Sequence, residues 1–354
     1  MKIQERISAF VELGKFLKQF SEEETQIAKH ELNTRYFEEF KELLYRVSIE
    51  NLWFTPNHVR SSIIGICQFL NKENLNQWLE KYKVSKNNTN KSVAVIMAGN
   101  IPMVGFHDML SVLISGHTFI GKLSTKDNQL LDFIPKLLIS LNPEFEKLIN
   151  FQSGQLNGES SFDAIIATGS NNSARYFDAY FSKYPNIIRR NRNSIAVISG
   201  SETEEEIKAL GNDIFLYFGL GCRNVSKLYI PKGYDITNLF KLWEDYKHII
   251  DNSKYANNYD YQRSLLLMNK IQHYDNGFLL LQENKEVASP VGVVYFEYYS
   301  ELHDIERKLK LDSELIQCVV ASDLDNTIPF GKAQEPQLWD YADNVDTMQF
   351  LTNL

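Results

Sequence analysis

From residue 92 onward, short apolar runs ending in glycine alternate with stretches of helical periodicity, and this order restricts the fold more than any other feature of the chain. SVAVIMAG (92–99) reads as a buried parallel strand, DMLSVLISG (108–116) as a helix closed by Gly116, and TFIGKLS (118–124) as a second strand. FIPKLLISL (133–141) reads as a helix and FDAIIATGS (162–170) as a further strand ending in a glycine turn. A repeated strand, turn, helix order predicts an α/β fold with helices on both faces of a sheet. Ligands on such folds gather at the carboxyl ends of the strands.

A second series starts at SIAVISG (194–200) and continues through the acidic SETEEEIKALGNDIFLYFG (201–219), where Glu204 to Glu206 suit a solvated first helical turn. KLYIP (227–231) follows, then an aromatic-rich helical region to about 270, and then VGVVYFEYY (291–299) and ELIQCVVASDL (314–324) as strands flanking the IERKLK helix. The closing segment FGKAQEPQLWDYADNVDTMQF (330–350) suits an extended arm or interface. Before residue 85 the pattern is helical, with Ile3, Ile7, Phe10, Val11, Leu13, Phe16, Leu17 and Phe20 on one face. Thr55 before Pro56 marks a helix start, and the polar KNNTNKS (86–92) a loop.

With 354 residues, 44% of them hydrophobic, the chain can bury the cores of two domains without disulfides. Three cysteines do not make a disulfide framework and imply a reduced, intracellular protein. No secretory signal or membrane-length apolar run is visible, which points to the cytoplasm. A net charge of -8 opposes nucleic-acid binding. One basic run, IIRRNRNS (187–194), reads either as a solvated loop or as a local site for a phosphorylated ligand. No CxxC or HxxxH spacing supports a metal.

Cys67, within a helical apolar pattern, and Cys318, within a strand, read as core; Cys222 in GLGCRNVSKLYIP (219–231) differs. Gly221 permits a tight turn, a helix precedes it and an apolar strand follows, so the thiol can be held at a crevice edge near backbone N–H groups. A thiol so placed can gain thiolate character and attack an acyl carbon. From the segment alone, a structural cysteine is the favoured reading.

AGNIP (98–102), SGHTFIGKLST (115–125), ATGS (167–170), GLGCRNVSKLYIP (219–231) and EVASPVGVVYF (286–296) occur in the order of landmarks of the aldehyde dehydrogenase superfamily. The combination resembles its acyl-CoA reductase branch, of the type that forms fatty aldehyde in bacterial bioluminescence, over roughly residues 90 to 350. The resemblance implies an α/β, aldehyde-dehydrogenase-like fold: N-terminal helices with a Rossmann-type NADP(H)-binding domain over 1–190, and a catalytic thiol domain with a C-terminal arm over 191–354. It puts Cys222 at the nucleophile's position and Asn100 at the oxyanion-hole asparagine. Lys122 matches the cofactor-binding lysine, Gly169 and Ser170 the glycine turn near the cofactor phosphates, and Glu286 the glutamate that holds the nicotinamide ribose.

Two departures from the pattern are informative. Oxidising members carry an ELGG motif whose glutamate prepares water, whereas the comparable stretch here is RNRNSIAVI (190–198), with Arg192 and Asn193 and no carboxylate. Hydrolysis of a cysteine thioester then lacks a general base, which favours reduction of an acyl-CoA over oxidation of an aldehyde. After Lys122 the turn reads LSTKD, a cofactor-binding turn with Ser124 in which Thr125 replaces the acid that NAD-preferring members place there and Lys126 adds positive charge near the expected 2′-phosphate. This favours NADP(H) over NAD(H). The expected activity is NADPH-dependent reduction of fatty acyl-CoA to fatty aldehyde and CoA through a cysteine thioester. An NAD(P)-dependent aldehyde dehydrogenase and a catalytically inactive nucleotide-binding or interaction protein are the alternatives. Acyl-CoA is the expected partner, with homo-oligomerisation left open.

Overall fold

The computed structural model describes all residues except 23–25, 27–29, 85–89, 153 and 155–160. Much of the KNNTNKS loop, residues 86–89, lies outside the described residues. The chain divides into two compact units, Met1–Arg190 with Gln337–Leu354, and Asn191–Pro336.

The first unit opens with helices α1 (Ile3–Lys18), α2 (Asn33–Glu50), α3 (Pro56–Phe69) and α4 (Lys72–Glu80). The spacing of Phe10, Leu13, Phe16 and Leu17 brings these four side chains to one face of α1, where all are fully buried. Thr55 starts α3, its hydroxyl accepting the His58 N–H at 3.3 Å, with Pro56 as first helical residue. Then follow β1 (Ser92–Ile96), α5 (Phe106–Ser115), β2 (Thr118–Lys122), α6 (Leu130–Leu141), β3 (Ile149–Phe151), β4 (Ala164–Thr168), α7 (Asn171–Phe181) and β5 (Asn186–Arg189). Gly116 ends α5 with φ +96°, a left-handed cap that glycine adopts without steric cost. The strands pair in parallel in the order β3-β2-β1-β4-β5, that of a Rossmann-type sheet.

The second unit contains β6 (Asn193–Val197), α8 (Glu204–Phe215), β7 (Val225–Pro231), α9 (Thr237–Leu242), α10 (Ser253–Met268), β8 (Tyr274–Asp275), β9 (Leu280–Glu283), β10 (Val293–Tyr299), α11 (Leu302–Leu311) and β11 (Ile316–Val320). Its sheet runs β11-β6-β7-β10-β9-β8 and is parallel except for the antiparallel pair β8 and β9. The acidic start of α8 is a capping box: the Thr203 hydroxyl accepts the Glu206 N–H and the Glu206 carboxylate accepts the Thr203 N–H.

The C-terminal segment corrects the expected organisation, because residues 337–354 pack in the first unit and not as an arm of the second. They end in α12 (Thr347–Thr352), and Leu338, Tyr341, Met348 and Leu351 join the core built by α1 to α6. Trp78 donates to the Tyr341 hydroxyl at 2.7 Å, and His117 Nε2 lies 2.9 Å from the Leu351 carbonyl. Among the described residues, no helix is long and apolar enough to cross a membrane.

Candidate active site

Because β1 pairs in parallel with both β2 and β4, the segments that leave their carboxyl ends emerge along one edge of the first sheet. This edge carries Asn100 after β1, Lys122, Ser124, Thr125 and Lys126 at the end of β2, and Gly169 and Ser170 after β4. A Cβ on Gly99 would stand 2.5 Å from the Ser124 hydroxyl oxygen, so glycine is what lets the Asn100 loop pass the β2 turn. The same loop is held elsewhere. Asp127 accepts the Met103 N–H at 2.6 Å, and Ser62 donates to the Pro102 carbonyl at 2.7 Å. Met103 takes φ +54°, an uncommon backbone for a non-glycine residue.

Ser170 caps α7, its hydroxyl accepting the Ser173 N–H at 3.2 Å. The positive end of this helix and the Lys122 and Lys126 side chains, half-buried and exposed respectively, suit the phosphates of a dinucleotide. Asp127 behaves differently from an ordinary turn acid. It is buried, its Oδ1 has no hydrogen-bond partner among the described residues, and burial pushes its pKa up to about 7 against the opposing Met103 N–H.

In the second unit, Cys222 lies exposed on the turn between α8 and β7. The approach is strained: Tyr217, Phe218 and Gly219 have φ of 55°, 58° and 73°, two aromatic residues in the left-handed region before the glycine. Buried packing holds them there, with Phe218 against Tyr255 at 5.8 Å between ring centroids. The turn itself is organised by Asn224, which is 1% exposed. Its Oδ1 accepts the Gly221 N–H at 2.8 Å, while its Nδ2 donates to the carbonyls of Asp213 at 3.0 Å and Leu216 at 2.8 Å at the end of α8. The Asn224 N–H donates to the Gly221 carbonyl at 3.0 Å, and the Ser194 hydroxyl to the Cys222 carbonyl at 3.0 Å. A planar trans peptide sets its N–H opposite to its C=O. The Cys222 N–H therefore points away from the Asn224 N–H that binds the Gly221 carbonyl.

The other cysteines have different surroundings. Cys67 packs against the core, its thiol 3.6 Å from the Gly14 carbonyl, and burial pushes its pKa up to about 12. Cys318 is half-buried, with its sulfur 3.0 Å from the Ser194 hydroxyl.

Glu286 follows β9 on a loop fastened to β7 by two consecutive buried residues. Ser226 donates to the Val287 carbonyl at 2.8 Å, and Lys227 Nζ to the Asn284 carbonyl. Asn284 in turn accepts the Glu286 N–H at 3.0 Å. The Lys227 ammonium also meets Glu297 at 3.2 Å, and its pKa is lowered by burial, with Glu297 opposing that shift. Cys222 and the Glu286 loop are thereby fixed to the same strand, one ahead of it and one beside it.

The basic run does not form the phosphate site left open above. Arg189 is buried in a bidentate pair with Asp108, at 2.6 and 2.9 Å; Arg190 pairs with Asp178; Arg192 donates to the Ser313 and Ile316 carbonyls. No cluster among the described residues is suited to a metal ion. Asn224, Ser194, Asp127 and Lys227 escaped the sequence reading. Asn224, two residues after the cysteine, carried the nearest available signal.

The fold is that of the aldehyde dehydrogenases. Aldehyde dehydrogenase 21 from Physcomitrella patens, solved with the reaction product succinate, is 11% identical, with a TM-score of 0.65 over 100% of this chain and 84% of that one. The NAD+ complex of an aldehyde dehydrogenase from Bacillus cereus is 13% identical, with a TM-score of 0.60 over 92% and 73%. Aldehyde dehydrogenase C from Pseudomonas syringae, solved with NAD+ and octanal, is 10% identical, with a TM-score of 0.64 over 92% and 73%. Comparison with curated protein sequences returned no match. The acyl-CoA reductase (LuxC) family model matches residues 15–238, more than half of the sequence, and the chain belongs to that family. It is accordingly an oxidoreductase of aldehyde chemistry.

Proposed function

We propose that the protein reduces a fatty acyl-CoA to the aldehyde with NADPH, releasing CoA, through a thioester on Cys222. The observation that supports this reading is the exposed position of Cys222 on a turn whose Gly221 and Cys222 carbonyls are both held by hydrogen bonds. The Cys222 thiolate attacks the acyl carbon, the bond to the CoA sulfur breaks, and CoA leaves with the proton that the cysteine gave up. The Cys222 N–H and the Asn100 amide are assigned the oxygen that becomes negative, each such donor being worth roughly 3 to 4 kcal/mol. NADPH, when bound, supplies the hydride that converts the thioester to aldehyde and restores the cysteine.

Lys122, Ser124, Thr125, Lys126, Gly169 and Ser170 are assigned to the dinucleotide, and Glu286 to its nicotinamide ribose. The carboxyl edge of a parallel sheet, a capped helix start and two lysines fit such a group. The stretch over residues 189–198 has no carboxylate, so it offers no base for water and protects the thioester for reduction.

A steady-state assay with acyl-CoAs from two to sixteen or so carbons, with NADPH or NADH, tests the proposal. Acyl-CoA-dependent NADPH consumption that yields aldehyde and disappears in Cys222→Ala supports it. Aldehyde oxidation that proceeds equally well without CoA identifies an oxidising dehydrogenase instead.

A further inference from the structure

The loop 331–334 is fastened beside the Cys222 turn by four hydrogen bonds. Asp213, fully buried on α8, accepts the Gly331 N–H at 2.6 Å and the Ala333 N–H at 2.8 Å. Asn212 donates to the Gly331 carbonyl at 3.3 Å. Arg223, the residue after Cys222, donates through Nε to the Ala333 carbonyl at 2.5 Å. The loop therefore delivers the next residue, Gln334, to the cysteine turn. A Cβ on Gly221 would lie 3.8 Å from Gln334 Oε1, so the amide stands beside the residue preceding the nucleophile. Gln334 Nε2 is buried and has no hydrogen-bond partner among the described residues.

A buried amide N–H without a partner is costly, and loops are not ordinarily clamped at three points to present one. Resting on the functional reading above, we infer that Gln334 is a catalytic residue that donates a hydrogen bond to the carbonyl oxygen of the acyl group being transferred to Cys222. Gly221 is required for the approach, since a side chain there would meet Asn224 Oδ1 at 2.9 Å and crowd the space next to the Gln334 amide. Asp213 and Arg223 act through Gln334 as positioning residues.

The test compares two reactions of the same sulfur in Gln334→Met, which keeps the length and lacks the amide, and in Gln334→Glu, which keeps an acceptor and lacks the donor. One reaction is single-turnover acylation of Cys222, followed by intact mass, with whichever of acetyl-, octanoyl- and hexadecanoyl-CoA acylates the wild type fastest. The other is alkylation of Cys222 by iodoacetamide, which has no developing oxyanion to stabilise. Both variants are expected to acylate about 100-fold more slowly while alkylating at the wild-type rate. Acylation at the wild-type rate in either folded variant overturns the inference. So does a parallel fall in both reactions, which would mean that Gln334 only supports the turn. A wild type that accepts no acyl group on Cys222 overturns the functional reading and, with it, the inference.

Discussion

Asn224 Oδ1 accepts the Gly221 N–H at 2.8 Å, and the Asn224 N–H returns to the Gly221 carbonyl at 3.0 Å, so a single buried residue grips both polar groups of the residue before Cys222. The same side chain closes the end of α8 through its Nδ2. Helix end and cysteine turn are thus one hydrogen-bonded unit.

Asn224→Ala keeps the backbone bond to the Gly221 carbonyl, removes the side-chain contacts and leaves the Gly221 N–H and the α8 carbonyls without this partner. It should lower the unfolding free energy by roughly 1–3 kcal/mol. Acylation of Cys222 should slow more than the loss of folded protein accounts for. Urea titration and single-turnover acylation, measured on the same preparation, check both expectations. Unchanged stability together with unchanged acylation contradicts the assigned role.

Thiol reactivity should rank with environment. Iodoacetamide at pH 8 is expected to modify the exposed Cys222 first and Cys67 last, because burial raises the Cys67 pKa to about 12 and keeps it protonated. Peptide mapping after timed quenching reads the order. Faster labelling of Cys67 than of Cys222 refutes it.

Asp127 makes stability depend on pH in the direction opposite to a salt-bridged acid. Its folded pKa is about 7 against an ordinary value of 3.8, so between about pH 4 and 7 the folded chain holds a proton that the unfolded chain has released. The contribution of this group to stability is therefore present below the unfolded value and is lost as pH rises toward 7. Asp127→Asn retains an acceptor for the Met103 N–H and cannot ionise. Relative to the wild type it should gain stability as pH rises from about 4 to 7, by on the order of 1.4 kcal/mol for each step of one in pH. Urea midpoints across this range measure the difference, and parallel curves for the two proteins contradict it.

The proposed preference for NADPH is assigned to Lys126, exposed at the β2 turn. Lys126→Ala should weaken NADPH binding by roughly tenfold or more while leaving NADH binding nearly unchanged, since only the 2′-phosphate loses a charge-assisted contact. Titration calorimetry with both nucleotides decides it. Equal losses remove Lys126 from the specificity argument.

The parts of this fold that were legible in the sequence are those with a local cause. β1, β2 and β4 are continuous apolar runs closed by turns, and Gly116 and Thr55 mark helix ends by the backbone chemistry that each supplies. The distinct setting of Cys222 was legible for the same reason: a glycine, a preceding helix and a following strand are neighbours in sequence. Residues 337–354 escaped because their place is set by distant partners. Thr347 meets Arg189 at 3.0 Å, and Tyr341 meets Trp78, and neither pairing leaves a periodic signal. Arg189 itself was misleading, since a basic run gives no sign that Asp108 neutralises it inside a core. The two-residue β8 and three-residue β3 are too short to show alternation. The left-handed Tyr217 and Phe218 contradict local preference and are held by packing that only the folded unit provides.

The central claim is that Cys222 carries the acyl group and that the group leaves as aldehyde. The wild type, mixed with acyl-CoA and separated from excess, should bear one acyl adduct, mapped to Cys222 and absent from Cys222→Ala. Addition of NADPH to that isolated adduct should discharge it as aldehyde, whereas without NADPH it should persist and give little carboxylic acid, because the stretch from Arg189 to Ile198 provides no carboxylate base. An adduct on another cysteine, or acid released as fast as aldehyde, contradicts the account.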